Sequence, residues 1–224
     1  MKLQLKKIGN KIYSIIMKSL LLIGGGGHCK SVIGIAEKCG FDILGIIDRP
    51  SEFGNKVLEY KVVGNDDDIV KYVDKAVFHI TVGFVKNADL RIKLFENVIK
   101  HRGKIVSIVS PTACVSKYSE IGEGTAVLNY ANINAGAVIG RNVIINNFAN
   151  IEHDVKISDH THVSTGAMIN GDCKIGSRCF IGSQAVIANG INICDDVIIG
   201  AGAVVVKDIT QKGIYVGNPA KIIK

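Results

Sequence analysis

The pair His153-Asp154 has the plainest capacity for acid–base chemistry in this 224-residue chain. An imidazole titrates near neutrality, so it can take the proton from an attacking amine or hydroxyl. The adjoining carboxylate can hold the ring and raise its basicity. Two more histidines, His160 and His162, follow within ten residues, and three imidazoles are chemically adequate for zinc. A second cluster stands near the start, where Gly24-Gly25-Gly26-Gly27-His28 follows a short apolar run, with Asp48-Arg49 some twenty residues on. A glycine-rich turn opening a helix exposes backbone N–H groups to an anion. An acidic residue after the second strand can accept from a ribose or base. The same glycines would also serve a tight strand-to-helix turn, and a histidine on a surface corner is often merely solvated.

The elements that position these residues fall into two halves with different periods. Ser19–Ile23, Asp42–Ile47, Val77–Val82 and Lys104–Ile108 read as strands. Helices are expected over Ser31–Cys39 and Asn87–His101, with Asp66–Val73 a further candidate. That order predicts a small Rossmann-like parallel sheet with helices on it. From Val109 every sixth residue is Ile or Val through Val205, seventeen positions without a slip. Neither a helix nor a half-buried strand has that period. Three short strands joined by turns make an 18-residue triangular coil that does, so the second half is expected to be a left-handed parallel β-helix. The β-branched residue points inward, and small residues such as Ala131, Ala149 and Cys173, four positions later, share the interior. Gly, Asn and Asp three positions after each Ile or Val suit corners with φ > 0. The domains expected are a 1–16 extension, a 17–108 α/β domain and a 109–224 prism.

Composition narrows the function. The chain is 47% hydrophobic, with a formal net charge of +7. Four of those positive charges are lysines in residues 1–16, where there is no acid and no signal-peptide pattern. The remainder has no basic stripe with interleaved aromatics, which argues against nucleic acid, and no apolar run long enough for a membrane span. Six cysteines without CxxC or framework spacing are expected to be reduced thiols in the cytoplasm.

The hexapeptide prism, the ending Val216-Gly217-Asn218-Pro219-Ala220-Lys221 and the run Ile151-Glu152-His153-Asp154 behind a Gly-rich βα turn resemble the left-handed β-helix sugar acetyltransferases. That family includes the UDP-4-amino-sugar N-acetyltransferases of bacillosamine synthesis and the sialic acid O-acetyltransferases. The resemblance implies acetyl-CoA as co-substrate, no metal, a homotrimer with sites in the grooves between neighbours, and His153 as general base with Asp154 where Glu is common. It also implies acetyl-CoA contacts from His162, Gly171, Ser183 and Ala201, with Asn146 near the acceptor amine. Gly25, Gly26, Gly27, His28, Asp48 and Arg49 fall where the family binds the nucleotide. Gly171 lies 18 residues after His153 and hence one coil above it, at ~4.8 Å, where its N–H would reach a thioester carbonyl. His160 is read as structural.

The acceptor is expected to be the amino group of a nucleotide-linked 4-amino-4,6-dideoxy sugar, with O-acetylation of a sialic-acid-like sugar as the alternative. Two readings from other classes are a zinc lyase of the γ-carbonic-anhydrase type on His153, His160 and His162, and a non-catalytic scaffold.

Overall fold

The computed structural model describes residues 19–223. The expectation of a frayed extension over residues 1–16 lies outside them. The N-terminal half is a sheet of β1 (Ser19–Ile23), β2 (Asp42–Ile47), β3 (Lys56–Val57), β4 (Tyr60–Gly64), β5 (Val77–Ile80) and β6 (Lys104–Ile105), in the order β3-β4-β2-β1-β5-β6. All neighbours are parallel except the β3–β4 hairpin. Leu20, Leu21 and Leu22 of the central β1 are fully buried, as a strand covered on both faces requires. Helices α1 (Gly27–Lys38) and α2 (Asp89–Lys100) pack on the sheet.

Four details depart from the sequence reading, the first being that α1 begins at Gly27, directly after the glycine turn, and not at Ser31. Asp66–Lys71 is a 3₁₀ helix, capped by Asn65, whose side chain accepts from the Asp67 N–H at 2.9 Å. Its three consecutive aspartates leave only Ile69 to bury, too little apolar surface for an α-helix against the sheet. The β3–β4 hairpin had no sequence signal, because Leu58 rather than Gly or Asn takes the positive φ at its turn. Lys104–Ile108 divides: β6 completes the sheet, whereas Ile108 pairs with Ala126 and starts the prism.

From Ile108 the chain winds as a left-handed parallel β-helix. Each two-residue strand pairs with the one 18 residues on, as in Ala126↔Ile144 and Ile144↔His162. The first face runs from Ile108–Val109 to Val197–Ile199 and is closed by Gly213–Val216. The second runs from Cys114–Val115 to Val204–Val205, the third from Glu120–Ile121 to Asn192–Ile193. Ile and Val from every coil, with Ala131, Ala149, Cys173 and Ala203, form one continuous core. Every corner from Gly124 to Gly202 has positive φ, whether it is Gly, Asn or Asp or the less expected Tyr130, Phe148, His160, Arg178 and Gln184. The coil geometry therefore sets these dihedrals, and ladder bonds above and below hold residues that would seldom choose them alone.

The three faces have different surroundings. The N-terminal domain covers the first face, where Ile108 and Ala126 join the core of α1 and β1. The third presents Lys156 and Lys174, both exposed. The second carries Met168, exposed, with Val186 and Val204 half-buried.

Candidate active site

His153 and Asp154 occupy the corner between the second and third faces, after the strand Asn150–Ile151. His153 Nδ1 lies 2.9 Å from Asp154 Oδ2, so the shorter acid still reaches the ring. With Nδ1–H donating there, Nε2 carries the lone pair a base needs. The bond to Asp154 is the main cause that raises the His153 pKa, joined by the charges of Asp154, Glu152 and Asp172. Gly171 is buried one coil above, and a Cβ on it would fall 2.6 Å from Nε2. The Cε1–Nε2 side of the ring thus lies against bare backbone, and a side chain there would dislodge it.

Glu152 belongs to this corner although sequence reasoning passed over it. Its carboxylate accepts from Asn150 at 2.9 Å and Asn134 at 3.0 Å, while Asn150 accepts from Asn132 at 2.7 Å. The two amide bonds hold its pKa below the usual carboxylate range, fixing a negative charge beside His153. Counting 18 residues from Asn132 and Asn134 would have exposed this ladder.

His162 has the opposite environment. It is on the first face, buried, with Nδ1 donating to the Phe84 carbonyl at 2.9 Å and its ring edge-on to Phe84 and Phe180. Burial lowers its pKa to about 4. Its Nε2 faces the Asn146 amide at 3.4 Å, so His162 orients Asn146 as a neutral acceptor. Beside them Ser164 and Ser183 hydroxyls meet at 2.9 Å, and Gly202 above donates to the Ser183 carbonyl. Asn146, Ser183 and Ala201 therefore share the corner between first and second faces, apart from that of His153. His160 takes the third corner, against Asn142 at 3.0 Å and Phe95, a packed position. The three prism histidines do not converge, and no group of three potential metal ligands occurs among the described residues.

The glycine-rich turn lines a cleft of about 840 Å³ with Gly24, Gly25, Gly26, Asp48 and Arg49. Two of its glycines answer to packing. Gly24 has φ +102° and abuts Val82, and a Cβ on Gly25 would sit 2.6 Å from Asp48 Oδ2. Asp48 itself accepts from the Gly25 N–H at 2.8 Å and the Arg49 N–H at 2.7 Å, bracing the turn. Gly26 and Gly27 have open space where a Cβ would be. Gly26 caps α1 without a side-chain bond, and no acid lies in the first turn. The positive end of that helix is thus free for an anion at the Gly26 end of the cleft. Lys93, Asn97 and Lys100 of α2 also line it. His28 instead turns inward, where burial, then Arg91, hold its pKa well below the ordinary value.

Arg91 was not foreseen. Fully buried, it donates to the Ile80 and Val82 carbonyls of the sheet domain and the Asn142 carbonyl of the prism. Sequence could not show it, because its partners are carbonyls brought together only when the halves pack.

A family model described as the PglD N-terminal domain matches residues 19–98, and one described as bacterial transferase hexapeptide (six repeats) matches 154–189 and 172–207. A histidine-to-asparagine variant of perosamine N-acetyltransferase from Caulobacter crescentus, in complex with CoA and GDP-perosamine, is 32% identical. It covers 93% of this chain and 98% of its own, with a TM-score of 0.87. The acetyltransferase domain of PglB from Neisseria gonorrhoeae is 30% identical over 92% of this chain and all of its own, with a TM-score of 0.85. WeeI from Acinetobacter baumannii, 23% identical with a TM-score of 0.68 over 92% of this chain and 100% of its own, shares the fold. No curated protein matches the chain. A Gly-rich α/β domain followed by an unbroken hexapeptide prism defines a left-handed β-helix acyltransferase. Within that class, the chain belongs to the sugar acetyltransferase family of perosamine N-acetyltransferase and the PglB domain.

Proposed function

We propose that this enzyme transfers the acetyl group of acetyl-CoA to the amino group of a nucleotide-linked 4-amino-4,6-dideoxy sugar, directly and with His153 as general base. One observation carries the reading: the exposed imidazole, bonded through Nδ1 to Asp154 and backed by Gly171, presents Nε2 as its free basic nitrogen. The amine attacks the thioester carbon while Nε2 takes its proton. The tetrahedral oxyanion is met by the Gly171 N–H. The carbon–sulfur bond then breaks, and the departing CoA thiolate recovers the proton from the imidazolium. The cleft at Gly26 and Asp48 takes the nucleotide, its phosphates at the α1 N-terminus and Arg49. The coenzyme runs along the upper coils past Ser183 and Ala201. The Caulobacter relative was crystallised with CoA and GDP-perosamine, which supports a coenzyme and a sugar nucleotide as the two ligand classes.

Within one chain the His153 corner, the Ser183–Ala201 corner and the cleft stand apart, which supports a homotrimer whose grooves bring different subunits' corners together. The second face, with Met168, Val186 and Val204 uncovered by this chain's own sheet domain, is the surface for that contact. Light scattering is expected to give three times 24.0 kDa; an active monomer would contradict it. The substrate is tested by thiol release with UDP-, dTDP- and GDP-linked 4-amino sugars beside free sialic acid. Turnover with a 4-amino sugar nucleotide is expected. Turnover confined to sialic acid would make the enzyme an O-acetyltransferase, and none with any acceptor would leave a scaffold.

A further inference from the structure

Gly136, Asp154, Asp172 and Gly190 occupy the same corner in four successive coils, with φ of +75°, +61°, +57° and +71°. The two aspartates show that this backbone accepts a Cβ, so φ alone does not require glycine at either end. Space separates the two glycines. A Cβ on Gly190 would meet nothing within 4 Å, whereas one on Gly136 would collide with Asp154 Oδ1 and come within 3.3 Å of its Cγ. The Asp154 carboxylate therefore rests on the bare backbone of Gly136 through Oδ1 while Oδ2 accepts from His153. Both oxygens are fixed to one carbon, so displacing the first moves the second.

We propose that Gly136 is a positioning residue: its missing side chain is the seat from which Asp154 holds His153 in its working orientation. This rests on the reading of His153 as the base. The charged groups facing the imidazole are Asp154, Glu152 and Asp172. Glu152 is tied to Asn134 and Asn150, and Gly171 backs the ring. Of the three acids, Asp154 is the one whose carboxylate the added methyl meets. Gly136→Ala thus acts on the pair chiefly through the carboxylate, since the Asp154 backbone nitrogen lies at 3.4 Å from the added carbon, and the terminal atoms of a short side chain can yield with little disturbance of the coil.

The test is an NMR titration of His153 in the full-length enzyme. The wild type and Gly190→Ala should titrate above the ordinary histidine value of 6.5, and Gly136→Ala should fall back towards it. In an Asp154→Ala background, Gly136→Ala should change nothing further, because the two substitutions remove one interaction. Acetyl transfer at neutral pH should drop in Gly136→Ala as far as in Asp154→Ala. An unmoved midpoint, an equal shift without Asp154, or a melting temperature well below that of Gly190→Ala would each overturn the proposal. A fully active His153→Ala would instead remove the base reading and leave the titration result standing.

Discussion

The corner at His153 and the wall at His162 lie nine residues apart on one prism and treat the same side chain in opposite ways. At the corner the ring is exposed, bonded to a carboxylate and flanked by a fixed glutamate, and its pKa rises. In the wall it is enclosed by Phe84 and Phe180 with no acid in contact, and its pKa falls to about 4. Residue type alone therefore says little about role in this prism. Which face the coil turns outward, and whether the N-terminal domain covers it, leaves one histidine exposed and more basic than usual, as the proposed base must be, and the other a buried, neutral neighbour of Asn146.

The substitution that separates the two environments furthest is His153→Ala. Loss of a general base costs about 10²–10⁴-fold in rate, and an exposed corner residue contributes nothing to the core, so kcat should fall by that much with acetyl-CoA binding retained. Near-normal turnover would end the assignment.

Acid should expose the wall instead. His162 binds a proton near 6.5 when unfolded but only near 4 when folded, so protons favour the unfolded chain between those values. Stability should be intact above about pH 6.5 and decline as pH falls towards 4, by a few kcal/mol. His79, lowered to about 3 by burial, extends the loss further. His162→Gln should flatten the decline, as followed by urea denaturation at several pH values; an unchanged slope would show that His162 does not couple to folding.

How much of this contrast was legible in the sequence follows from the two periods. A repeat of six survives in one chain without an alignment, because Ile or Val must return to the interior at every strand. The same arithmetic put Gly171 over His153. It would also have put Gly136 beneath Asp154 and Asn134 beneath Glu152, had the columns of Gly and Asn been read as neighbours of a site rather than as corners. The N-terminal half offered no such rule. The hairpin at Lys56–Gly64 turns on a leucine, and Phe84, Phe180 and Arg91 matter only because the two domains meet over them.

A smaller effect sharpens the division between cleft and prism. Asp48→Ala removes the brace at Gly25 and one acceptor for a ribose or base. It should raise the KM for the sugar nucleotide about three- to tenfold, the cost of one hydrogen bond of about 0.5–1.5 kcal/mol, and leave the acetyl-CoA KM nearly unchanged. A rise confined to acetyl-CoA would reverse the assignment of the two regions.

The pH dependence of kcat/KM for the sugar nucleotide tests most directly which histidine is the base. A base must be unprotonated, so activity should rise with pH through a midpoint above 6.5, and Asp154→Asn should move that midpoint down. A midpoint near 4, where burial places His162, or one indifferent to Asp154, would contradict the account.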